Sequence, residues 1–434
     1  MRQLQRILEQ YLKWCVSRSF LRERPLVIGV GGSVGKTSTK QAIGTALGAT
    51  RSGTGVVMSL KNYNNEIGVP MTVFGVSELG RSPSRWIELL FKGTMTGIGL
   101  RPLRARTFVL ELATDHPGDM AYLVDMVHPT VGVLTAISPE HTEYLGSLEG
   151  VLKEEMTLLQ GLKPDQIAIV NADDALLMKA VKECPVVTLS FGFAEDATIR
   201  IESITPFIDE SIPELSGLHV ALRTFNNAVT VTIHGTVGRS QAYAVASAMA
   251  VVQALDIDEV QSVKNLELYA GNLGRMRLIQ GIKRTWILDD TYNSSPRAVE
   301  SALQDLRTFP IPEGARRIAV MGDMLELGSL SDEEHRKEGL LIAELADELI
   351  VCGTNAGIVE SAALEAGMSR DRVFVFSTSE EAGRFLQDRM HEGDVILIKG
   401  SQGNRMEKAV KEVMARPDLA EELLVRQTGV WKGR

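Results

Sequence analysis

The 434-residue sequence has few cysteines, few aromatic residues and no long apolar run, and each shortage excludes a class of protein. Its three cysteines, Cys15, Cys184 and Cys352, lie far apart, which argues against a disulfide framework and favours a reducing compartment. No stretch approaches the ~18–20 apolar residues of a membrane-spanning helix. The N-terminus has no apolar region or cleavage site typical of a signal peptide. We therefore expect a cytoplasmic globular protein of two or three domains.

The charge balance excludes a further class. The sequence contains 46 basic and 55 acidic residues, a formal net charge of −9, and 44% of its residues are hydrophobic. A general nucleic-acid binder carries an excess of basic residues instead. The expected partners therefore do not include nucleic acid.

The most informative segment is residues 27–39, where an apolar strand runs into a glycine-rich loop that ends in Gly-Lys-Thr. Such a loop directs backbone N–H groups at a phosphate, its lysine reaches the β- and γ-phosphates, and its threonine is placed for Mg²⁺. A helix expected over 38–48 adds its N-terminal partial charge. The residues that we expect to bind ATP here are Gly31, Gly32, Ser33, Gly35, Lys36, Thr37 and Ser38.

This motif is incomplete, because the strict pattern requires glycine at position 30 and the sequence has Val30. A plain turn is the alternative interpretation. The combination of strand, loop and helix favours phosphate binding.

Hydrophobic periodicity divides the chain into three parts. Residues 1–24 have the spacing of an amphipathic helix that ends before Pro25, and residues 25–273 alternate strands and helices around the phosphate loop. Within this part, 199–237 resembles an antiparallel β meander. A second α/β unit occupies 274–434. The predicted fold class is α/β, with a P-loop central domain on a mostly parallel sheet plus a small antiparallel β part, followed by a Rossmann-like C-terminal α/β domain.

Predicted strands are short apolar runs flanked by turn residues. In the central part they include Phe108–Leu112, Val131–Ala136 and Ile167–Asn171. In the C-terminal part they are Trp286–Leu288, Arg317–Met321, Glu348–Cys352, Val373–Phe376 and Val395–Lys399.

Two candidate metal ligands follow apolar strands of the central part. Glu111 and His141 both come just after such a run, where the carboxyl edge of a parallel sheet collects ligand-binding groups. Mg²⁺ prefers oxygen, so Glu111 suits it better than His141 does. The alternatives are a solvated carboxylate and a hydrogen-bonded structural histidine.

Five segments together resemble the Mur ligases, the ATP-dependent amide-bond-forming enzymes of peptidoglycan precursor synthesis. Among these, the chain is most similar to the subfamily of UDP-N-acetylmuramoyl-tripeptide:D-alanyl-D-alanine ligases. The resemblance covers about residues 25–410. The segments are Gly32-Ser-Val-Gly-Lys-Thr-Ser-Thr, Asn64-Asn-Glu-Ile-Gly-Val-Pro, Asp289-Asp-Thr-Tyr-Asn-Ser-Ser-Pro, Gly322-Asp-Met-Leu-Glu-Leu-Gly with His335 after it, and Lys399-Gly-Ser-Gln-Gly-Asn-Arg-Met-Glu.

The resemblance implies a mechanism with ATP and Mg²⁺ as cofactors. ATP phosphorylates a substrate carboxylate, and an amine then attacks the resulting acyl phosphate to give an amide, phosphate and ADP. The implied roles are phosphate binding for Lys36, metal binding for Thr37, Glu111 and His141, and nucleotide contacts for Arg275 and Asp290. Asn65 is implied at the reacting phosphate or acyl group, with the register between Asn64 and Asn65 open.

One departure concerns a lysine that the family carbamylates to obtain an acidic group. Counting from Gly146-Ser147 places Glu155 at that position, with Lys153 two residues earlier. We expect Glu155 to supply the charge directly, as a catalytic and metal-site residue. A shifted register with a modified Lys153 is the alternative.

A second departure lies at 239–250, where the family has residues that contact the base. The chain has Ser240, Tyr243 and Ala244 instead. Tyr243 could stack on adenine. Alternatively, 239–250 is simply a packed helix.

The third departure is that only 24 residues precede the phosphate-loop strand, whereas the subfamily has an N-terminal UDP-sugar-binding domain. Residues 1–24 contain six basic and two acidic residues, and 81–106 contain six basic and one acidic residue alongside several large apolar ones. We hypothesise that the two segments form a surface for an anionic membrane or a lipid-linked diphosphate substrate. The alternative is that they pack together and their charges are solvated.

The expected function is that of an ADP-forming acid–amino-acid ligase that adds D-alanyl-D-alanine, or a similar amino acid or dipeptide, to a cell-wall peptide precursor. Alternatives are a ligase for a lipid-linked, folate or poly-amino-acid carboxylate, and a non-catalytic nucleotide-binding scaffold. We expect a monomer. The predicted catalytic residues are Lys36, His141, Glu155 and Asn65.

Overall fold

A computed structural model describes residues 2–49, 55–59, 63–80, 82–139, 142–225 and 227–428. Two sheets organise these ranges, the first built from residues 26–234 and the second from residues 277–399. The predicted α/β fold class is confirmed, with helices on both faces of each sheet.

The first sheet has nine strands among the described residues, in the order β2-β3-β1-β4-β5-β6-β7-β8-β9. The strands from β2 to β7 run parallel, and β8 and β9 continue the sheet antiparallel. Their bounds are β1 Leu26–Gly31, β2 Val56–Met58, β3 Thr107–Glu111, β4 Val131–Leu134, β5 Ile167–Asn171, β6 Val187–Gly192, β7 Ile199–Phe207, β8 Gly217–Arg223 and β9 Ala228–His234. The last three strands form the antiparallel meander expected at 199–237.

The second sheet has six strands among the described residues, in the order β10-β11-β15-β12-β13-β14. Only β10 is antiparallel, and it pairs with β11. The bounds are β10 Arg277–Gln280, β11 Trp286–Asp290, β12 Arg317–Met321, β13 Glu348–Cys352, β14 Val373–Phe376 and β15 Val395–Lys399.

Helices cover both faces of each sheet, so most strands are buried on two sides. The helices within the described ranges are α1 Arg2–Glu23, α2 Lys36–Ala46, α3 Gly68–Phe74, α4 Pro83–Gly97, α5 Asp119–Val127, α6 Thr142–Leu145, α7 Leu148–Gln160, α8 Ala175–Ala180, α9 Arg239–Ala254, α10 Glu259–Leu266, α11 Pro296–Thr308, α12 Ser331–Leu345, α13 Ala356–Glu365, α14 Ser379–Arg389, α15 Glu407–Val413 and α16 Ala420–Leu423. No helix in the described part of the chain combines the length and hydrophobicity needed to span a bilayer.

Strand β1 shows why the strands of this sheet appear in the sequence as continuous apolar runs. Val27 packs into the core beneath α1, α4 and α7, while Ile28 and Val30 pack into the opposite core beneath α2 and α9. A strand in a parallel sheet covered on both faces needs apolar residues at successive positions. Val30 therefore occupies a buried strand position, which explains why the glycine pattern starts one residue later.

The helix after the phosphate loop differs from its prediction. It spans Lys36–Ala46, whereas 38–48 was expected. Gly35, with φ of 91°, is the last residue of the loop, so the following lysine and threonine already belong to the first helical turn. Their side chains therefore project from the rigid end of α2.

Candidate active site

The phosphate loop joins β1 to α2 and closes against the end of β4. Gly32 has φ of 112°, and a Cβ there would lie 2.4 Å from Thr135 Oγ1 and 3.0 Å from the Thr135 backbone N. The loop is fixed on the same side by the Ser33 N–H, which donates to Ala136 O at 2.7 Å. Only glycine combines this φ with this approach. The loop conformation is thus set by the neighbouring strand as well as by its own sequence.

Lys36 folds back over this loop. Its Nζ donates to Ser33 O at 2.9 Å and also to Gly32 O. The ammonium group therefore lies over the loop whose N–H groups and helix N-terminus attract an anion. This is the arrangement expected of a residue that contacts the terminal phosphates.

Glu111 stands beside the loop at the end of β3, with its side chain buried. Its Oε1 accepts from Thr37 Oγ1 at 3.2 Å and from Asn64 Nδ2 at 3.1 Å, and its Oε2 lies 3.0 Å from Lys40 Nζ. Burial raises the pKa of Glu111, but the ammonium groups of Lys40 and Lys36 outweigh it and hold the pKa below its ordinary value. The carboxylate is therefore ionised and aimed at the phosphate end of the site.

Lys40 is a residue of this cluster that sequence reasoning missed, and Asn64 is one of the two residues between which the register was left open. Lys40 follows Lys36 by four residues, so both side chains project from the same face of α2. Asn64 lines the cavity, whereas Asn65 Oδ1 accepts from the Gly68 N–H at 2.9 Å at the start of α3. The geometry thus brings Asn64 to Glu111 and uses Asn65 to fix the helix, and a role for Asn65 in the reaction stays a prediction.

Glu155 lies beneath the phosphate loop. The side chain, on α7, is buried; its Oε2 accepts from the Gly32 N–H at 2.7 Å, and its Oε1 accepts from Thr114 Oγ1 at 3.3 Å. A Cβ at Gly31 would lie 2.8 Å from this carboxylate, so the approach requires glycine. Lys153, two residues earlier on the same helix, is exposed on another side. The structure therefore brings Glu155, and not Lys153, to the loop.

A cavity of 310 Å³ extends from the phosphate loop to the second sheet. Of the residues predicted to bind ATP, Ser33, Gly35, Lys36, Thr37, Ser38, Arg275 and Asp290 line it. Gly31 and Gly32 lie behind it, next to Glu155. Position 141 is outside the described residues, so the role predicted for His141 stays a prediction.

The wall contributed by the second sheet carries an internal ion pair. Asp290, at the end of β11, has its Oδ2 2.6 Å from Lys399 Nζ, and its Oδ1 accepts from the Met276 N–H at 3.2 Å. Lys399 is almost fully buried at the end of β15 and also donates to Asn293 O. Arg275 lies with its guanidinium 4.4 Å from the centre of the Tyr292 ring. These contacts hold Asp290 and Arg275 in fixed positions at the cavity.

Side chains of α11 join the two units across the cavity. Arg297 on α11 pairs with Asp174 at the start of α8, with Nη1 and Oδ2 2.8 Å apart, and its Nη1 also donates to Ile137 O at 3.1 Å. Asp305, also on α11, accepts from the Arg239 N–H at the start of α9 at 3.0 Å. Burial raises the pKa of Asp305 to about 7. The cavity is therefore closed by side chains from one helix of the second unit.

Tyr243 lines the end of the cavity away from the phosphate loop. Its hydroxyl donates to Asp173 Oδ2 at 2.8 Å, and its ring meets Phe191 and Phe193 edge-on. Burial raises the pKa of the Tyr243 hydroxyl to about 12. The ring orientation is thus fixed from behind, and stacking of Tyr243 on a base stays a prediction.

The residues present fit Mg²⁺ held jointly with a nucleotide. Within the described ranges, no group of three or more His, Cys, Asp or Glu side chains could hold a metal by itself. The ionised Glu111 carboxylate and the Thr37 hydroxyl nonetheless form a pair of hard oxygen ligands, and Mg²⁺ is commonly held by one or two carboxylates plus substrate phosphates.

The second cavity near the site has a volume of 630 Å³ and borders the signature loop at 322–328. Glu326, Ser401 and Gln402 line it together with Asn293. His335 is buried beneath the loop, where its Nε2 accepts from the Met324 N–H at 3.0 Å. His335 thus supports the loop from the protein interior.

Comparisons with known proteins agree with this architecture. The family described as "Mur ligase middle domain" matches residues 30–252, and the one described as "Mur ligase, glutamate ligase domain" matches residues 274–402. The UDP-N-acetylmuramoyl-tripeptide–D-alanyl-D-alanine ligase of Bacillus subtilis is 27% identical over 93% of this chain and 79% of its own length. The Synechocystis enzyme of the same name is 28% identical over 90% and 74%.

A solved structure extends the likeness to three dimensions. The MurF ligase from Thermotoga maritima, crystallised in complex with ADP, superposes with a TM-score of 0.73 at 25% identity and covers 93% of this chain and 83% of its own. The predicted resemblance, the ATP-dependent ADP-forming ligase class and the ATP and Mg²⁺ cofactors are confirmed. Because the middle-domain family alone matches half of the sequence and the ligase-domain family most of the remainder, the chain belongs to the Mur ligase family.

Proposed function

We propose that this ligase adds D-alanyl-D-alanine, or a closely similar dipeptide or amino acid, to the free carboxylate of a cell-wall peptide precursor. The observation that carries the proposal is the cavity in which Lys36, Thr37 and Glu111 of the first sheet face Arg275 and Asp290 of the second. The relatives named for this addition match the chain across both sheets.

The proposed reaction has two steps. An oxygen of the substrate carboxylate attacks the γ-phosphorus of ATP, the bond to the β-phosphate oxygen breaks, and ADP leaves. The amine nitrogen of the second substrate then attacks the carbonyl carbon of the acyl phosphate. The tetrahedral species loses phosphate and a proton, which leaves the amide.

Most of the catalysis in such a reaction is positioning and charge neutralisation. Lys36 binds the terminal phosphates, Glu111 and Thr37 hold the metal-bound end of the nucleotide, and Asp290 holds its ribose. Mg²⁺, when bound, neutralises charge on the transferring phosphoryl group. The second sheet closes the cavity and keeps water from the acyl phosphate. His141 remains a proposed second metal ligand.

For Glu155 we propose the role that other members of the family give to a carbamylated lysine. A carboxylate already stands where that modification would supply one, and it accepts a hydrogen bond from the Gly32 N–H at 2.7 Å. The carboxyl group is then part of the sequence, and no reaction of a lysine with dissolved carbonate is needed to supply it. Lys153 is left on the surface.

The 630 Å³ cavity beside the signature loop is our proposed site for the amine substrate. It borders Tyr292 and Asn293, and both also line the ATP cavity. An amine bound there stands next to the place where the acyl phosphate forms. We propose the unit boundary at 273/274, so that residues 274–434 carry this cavity.

Phosphate release is the direct test. Purified protein, ATP and Mg²⁺ are incubated with UDP-muramoyl-tripeptide and D-alanyl-D-alanine, and products are identified by mass spectrometry. We expect ADP and phosphate only when a carboxylate and an amine are both present. Nucleotide binding without turnover across a panel of peptide and folate carboxylates would instead favour the scaffold alternative.

We also propose that the enzyme is a cytoplasmic monomer that contacts an anionic membrane through residues 1–24 and 81–106. Support comes from the excess of basic residues in both segments. Sedimentation with vesicles of phosphatidylglycerol and phosphatidylcholine tests the contact. Binding that survives at low salt without residues 1–24 would contradict it.

A further inference from the structure

Helix α1 has a second apolar face that the protein does not cover. Its inner face, which includes Leu12 and Phe20, is buried in the core, whereas Ile7, Trp14 and Leu21 on the outer face are 61%, 46% and 59% exposed. Tyr11 joins this outer face and stacks on Trp14, with ring centroids 6.1 Å apart. A helix that only packed on the protein would have polar residues there.

Helix α4 continues the same surface. Ile87 and Phe91 on one face of α4, and Ile98 directly after its end, are 66%, 62% and 52% exposed. The Tyr11 hydroxyl and Thr94 Oγ1, 2.6 Å apart, join the two apolar stripes. We call the surface formed by Ile7, Tyr11, Trp14, Leu21, Ile87, Phe91 and Ile98 the α1/α4 face.

The two helices are held close together, so the α1/α4 face is a continuous surface. A Cβ at Gly97 would lie 3.3 Å from Cys15 Cα, and Arg22 Nη2 donates to Thr96 O at 2.8 Å. Close packing through glycine gives the face a fixed shape. The alternative in which the segments pack together is thus correct for one side of α1 and leaves its other side uncovered.

Positive charge surrounds and interrupts the α1/α4 face. Arg18 is exposed on it between Trp14 and Leu21, and Arg6 and Arg101 are exposed near its edges. The two segments that form it have six basic residues each, against two and one acidic residues, in a chain of net charge −9. Exposed Trp, Tyr and aliphatic residues with Arg at their edges are typical of a helix lying in the headgroup region of anionic lipid.

The α1/α4 face lies close to the entrance of the active site. Glu9 is on the inner side of α1, where its carbonyl accepts from Tyr122 Oη at 2.9 Å. Tyr122 lies on α5, and Asp119 at the start of the same helix accepts from the Asp115 N–H at 3.0 Å. Asp115 lines the ATP cavity. Helix α5 therefore connects the inner side of α1 with a residue that lines the cavity.

We infer that the acceptor is presented by a membrane, as a lipid-linked diphosphate sugar whose peptide carboxylate enters past Asn64 and Asp115 while the α1/α4 face lies on the bilayer. This inference rests on the proposed function and names its acceptor class. Docking concentrates enzyme and acceptor on one surface, so part of the binding energy comes from the membrane. The anionic diphosphate attracts the basic edge of the face.

The experiment compares two carriers of one peptide. UDP-muramoyl-tripeptide in solution and the same muramoyl-tripeptide on prenyl diphosphate, in vesicles of phosphatidylglycerol and phosphatidylcholine, are each supplied with ATP and D-alanyl-D-alanine. We expect kcat/KM to be at least about tenfold higher for the vesicle-bound acceptor, with the gain reduced severalfold at 0.5 M salt.

Surface variants separate docking from catalysis. Trp14→Ser/Phe91→Ser should lose the gain on vesicles and sedimentation with them, while turnover of the soluble acceptor is retained. Leu268→Ser is the matched control, because Leu268 is 81% exposed outside the α1/α4 face and its loss should change neither readout.

The outcomes distinguish failure of the lipid-linked acceptor from failure of the ligase function. Equal kcat/KM with both carriers, or full vesicle turnover by Trp14→Ser/Phe91→Ser, overturns the lipid-linked acceptor and leaves the ligase function intact. If the soluble acceptor alone is used, the inference is also overturned. If neither acceptor is used although ATP binds, the proposed function fails, and the acceptor inference, which rests on it, fails too.

Discussion

The two ends of the ATP cavity are built in different ways. At the phosphate end, a loop of four residues and the first turn of α2 supply most of the predicted ligands, and the buried strands β1, β3 and β4 fix them. At the opposite end, Tyr243 on α9, Asp290 on β11 and Asp305 on α11 come from three elements of the two units. The first end is one local structure on a rigid sheet. The second exists only while the two sheets are held together.

The difference predicts where substitutions are most costly. Ligands on the loop act on the charge of the transferring phosphoryl group, so losing one should mainly lower kcat. Contacts between the sheets act on closure, so losing one should mainly raise KM for ATP.

The largest effect is expected for Lys36→Ala. The variant removes the ammonium group that lies 2.9 Å from Ser33 O and faces the loop, so kcat should fall by about 10³ or more. Phosphate release measures the rate, and circular dichroism checks the fold. Retention of full turnover would refute the phosphate-loop site.

Glu155→Gln should come next, with kcat lowered about 10²-fold. The amide keeps an acceptor for the Gly32 N–H but removes the negative charge beneath the loop. Lys153→Ala is the matched control from the same helix and should behave as wild type, since Lys153 is exposed. The opposite result, with Lys153→Ala inactive and Glu155→Gln active, would favour the alternative in which Lys153 is carbamylated.

Arg297→Ala should have a smaller effect, and on a different parameter. It removes the 2.8 Å pair with Asp174 between the two units. Because the Arg297 side chain is 37% exposed, we expect this pair to contribute about 1 kcal/mol, and its removal should raise KM for ATP about fivefold. Arg336→Ala, which breaks an exposed pair with Glu365 inside the second unit, is the control. A fall in kcat at unchanged KM for ATP would contradict the expectation that contacts between the two units act on KM and loop ligands act on kcat.

The smallest effect concerns the stability of the second unit and leaves the site unchanged. Glu338 on α12 is buried, neither of its carboxyl oxygens has a hydrogen-bond partner among the described residues, and burial raises its pKa to about 8. Lys399 partly opposes this shift and Asp323 adds to it. The folded state therefore keeps a proton that the unfolded chain releases near pH 4.5, and wild-type stability should fall as pH rises from about 5 to 8.

Glu338→Gln removes this titration. The melting temperature of the variant should gain on that of wild type between pH 5 and 8, as measured by differential scanning calorimetry. Two melting curves that move in parallel with pH would show that Glu338 is ionised throughout or paired.

The strands of the second sheet show how far sequence patterns reach. The predicted bounds Arg317–Met321, Glu348–Cys352, Val373–Phe376 and Val395–Lys399 are those of β12, β13, β14 and β15. Each is a parallel strand with helices on both faces, so its apolar run has clear ends. The run predicted at Trp286–Leu288 was too short, because β11 continues through Asp289 and Asp290, whose polarity resembles a loop.

Two of the edge strands were missed. Neither β2 nor β10 was predicted, whereas β14, an edge strand of four residues, was. The short run at Val56–Met58 and the alternating one at Arg277–Gln280 carry too little pattern to indicate a strand. Their place in the sheets depends on pairing with β3 and β11.

At the candidate active site, too, sequence patterns did not indicate residues whose position depends on tertiary packing. Sequence motifs indicated Lys36 and Thr37, which end a glycine-rich loop, and Glu111 and Asp290, which end apolar strands. They did not indicate Asp305, which meets the Arg239 N–H across 66 residues of sequence. A helix position facing another unit looks like any solvent-exposed acidic residue until the packing of the two units is known.

By itself, the sequence determined the phosphate loop, the order of buried strands and the family. These depend on local glycine placement and on apolar runs, which can be recognised without knowledge of the tertiary packing. Only the tertiary structure decided that Glu155 rather than Lys153 meets the loop, that Asn64 rather than Asn65 lines the cavity, and that α1 leaves an apolar face uncovered. A shift of one or two residues along a helix or turn moves a side chain to another face, and only packing selects the face that is used.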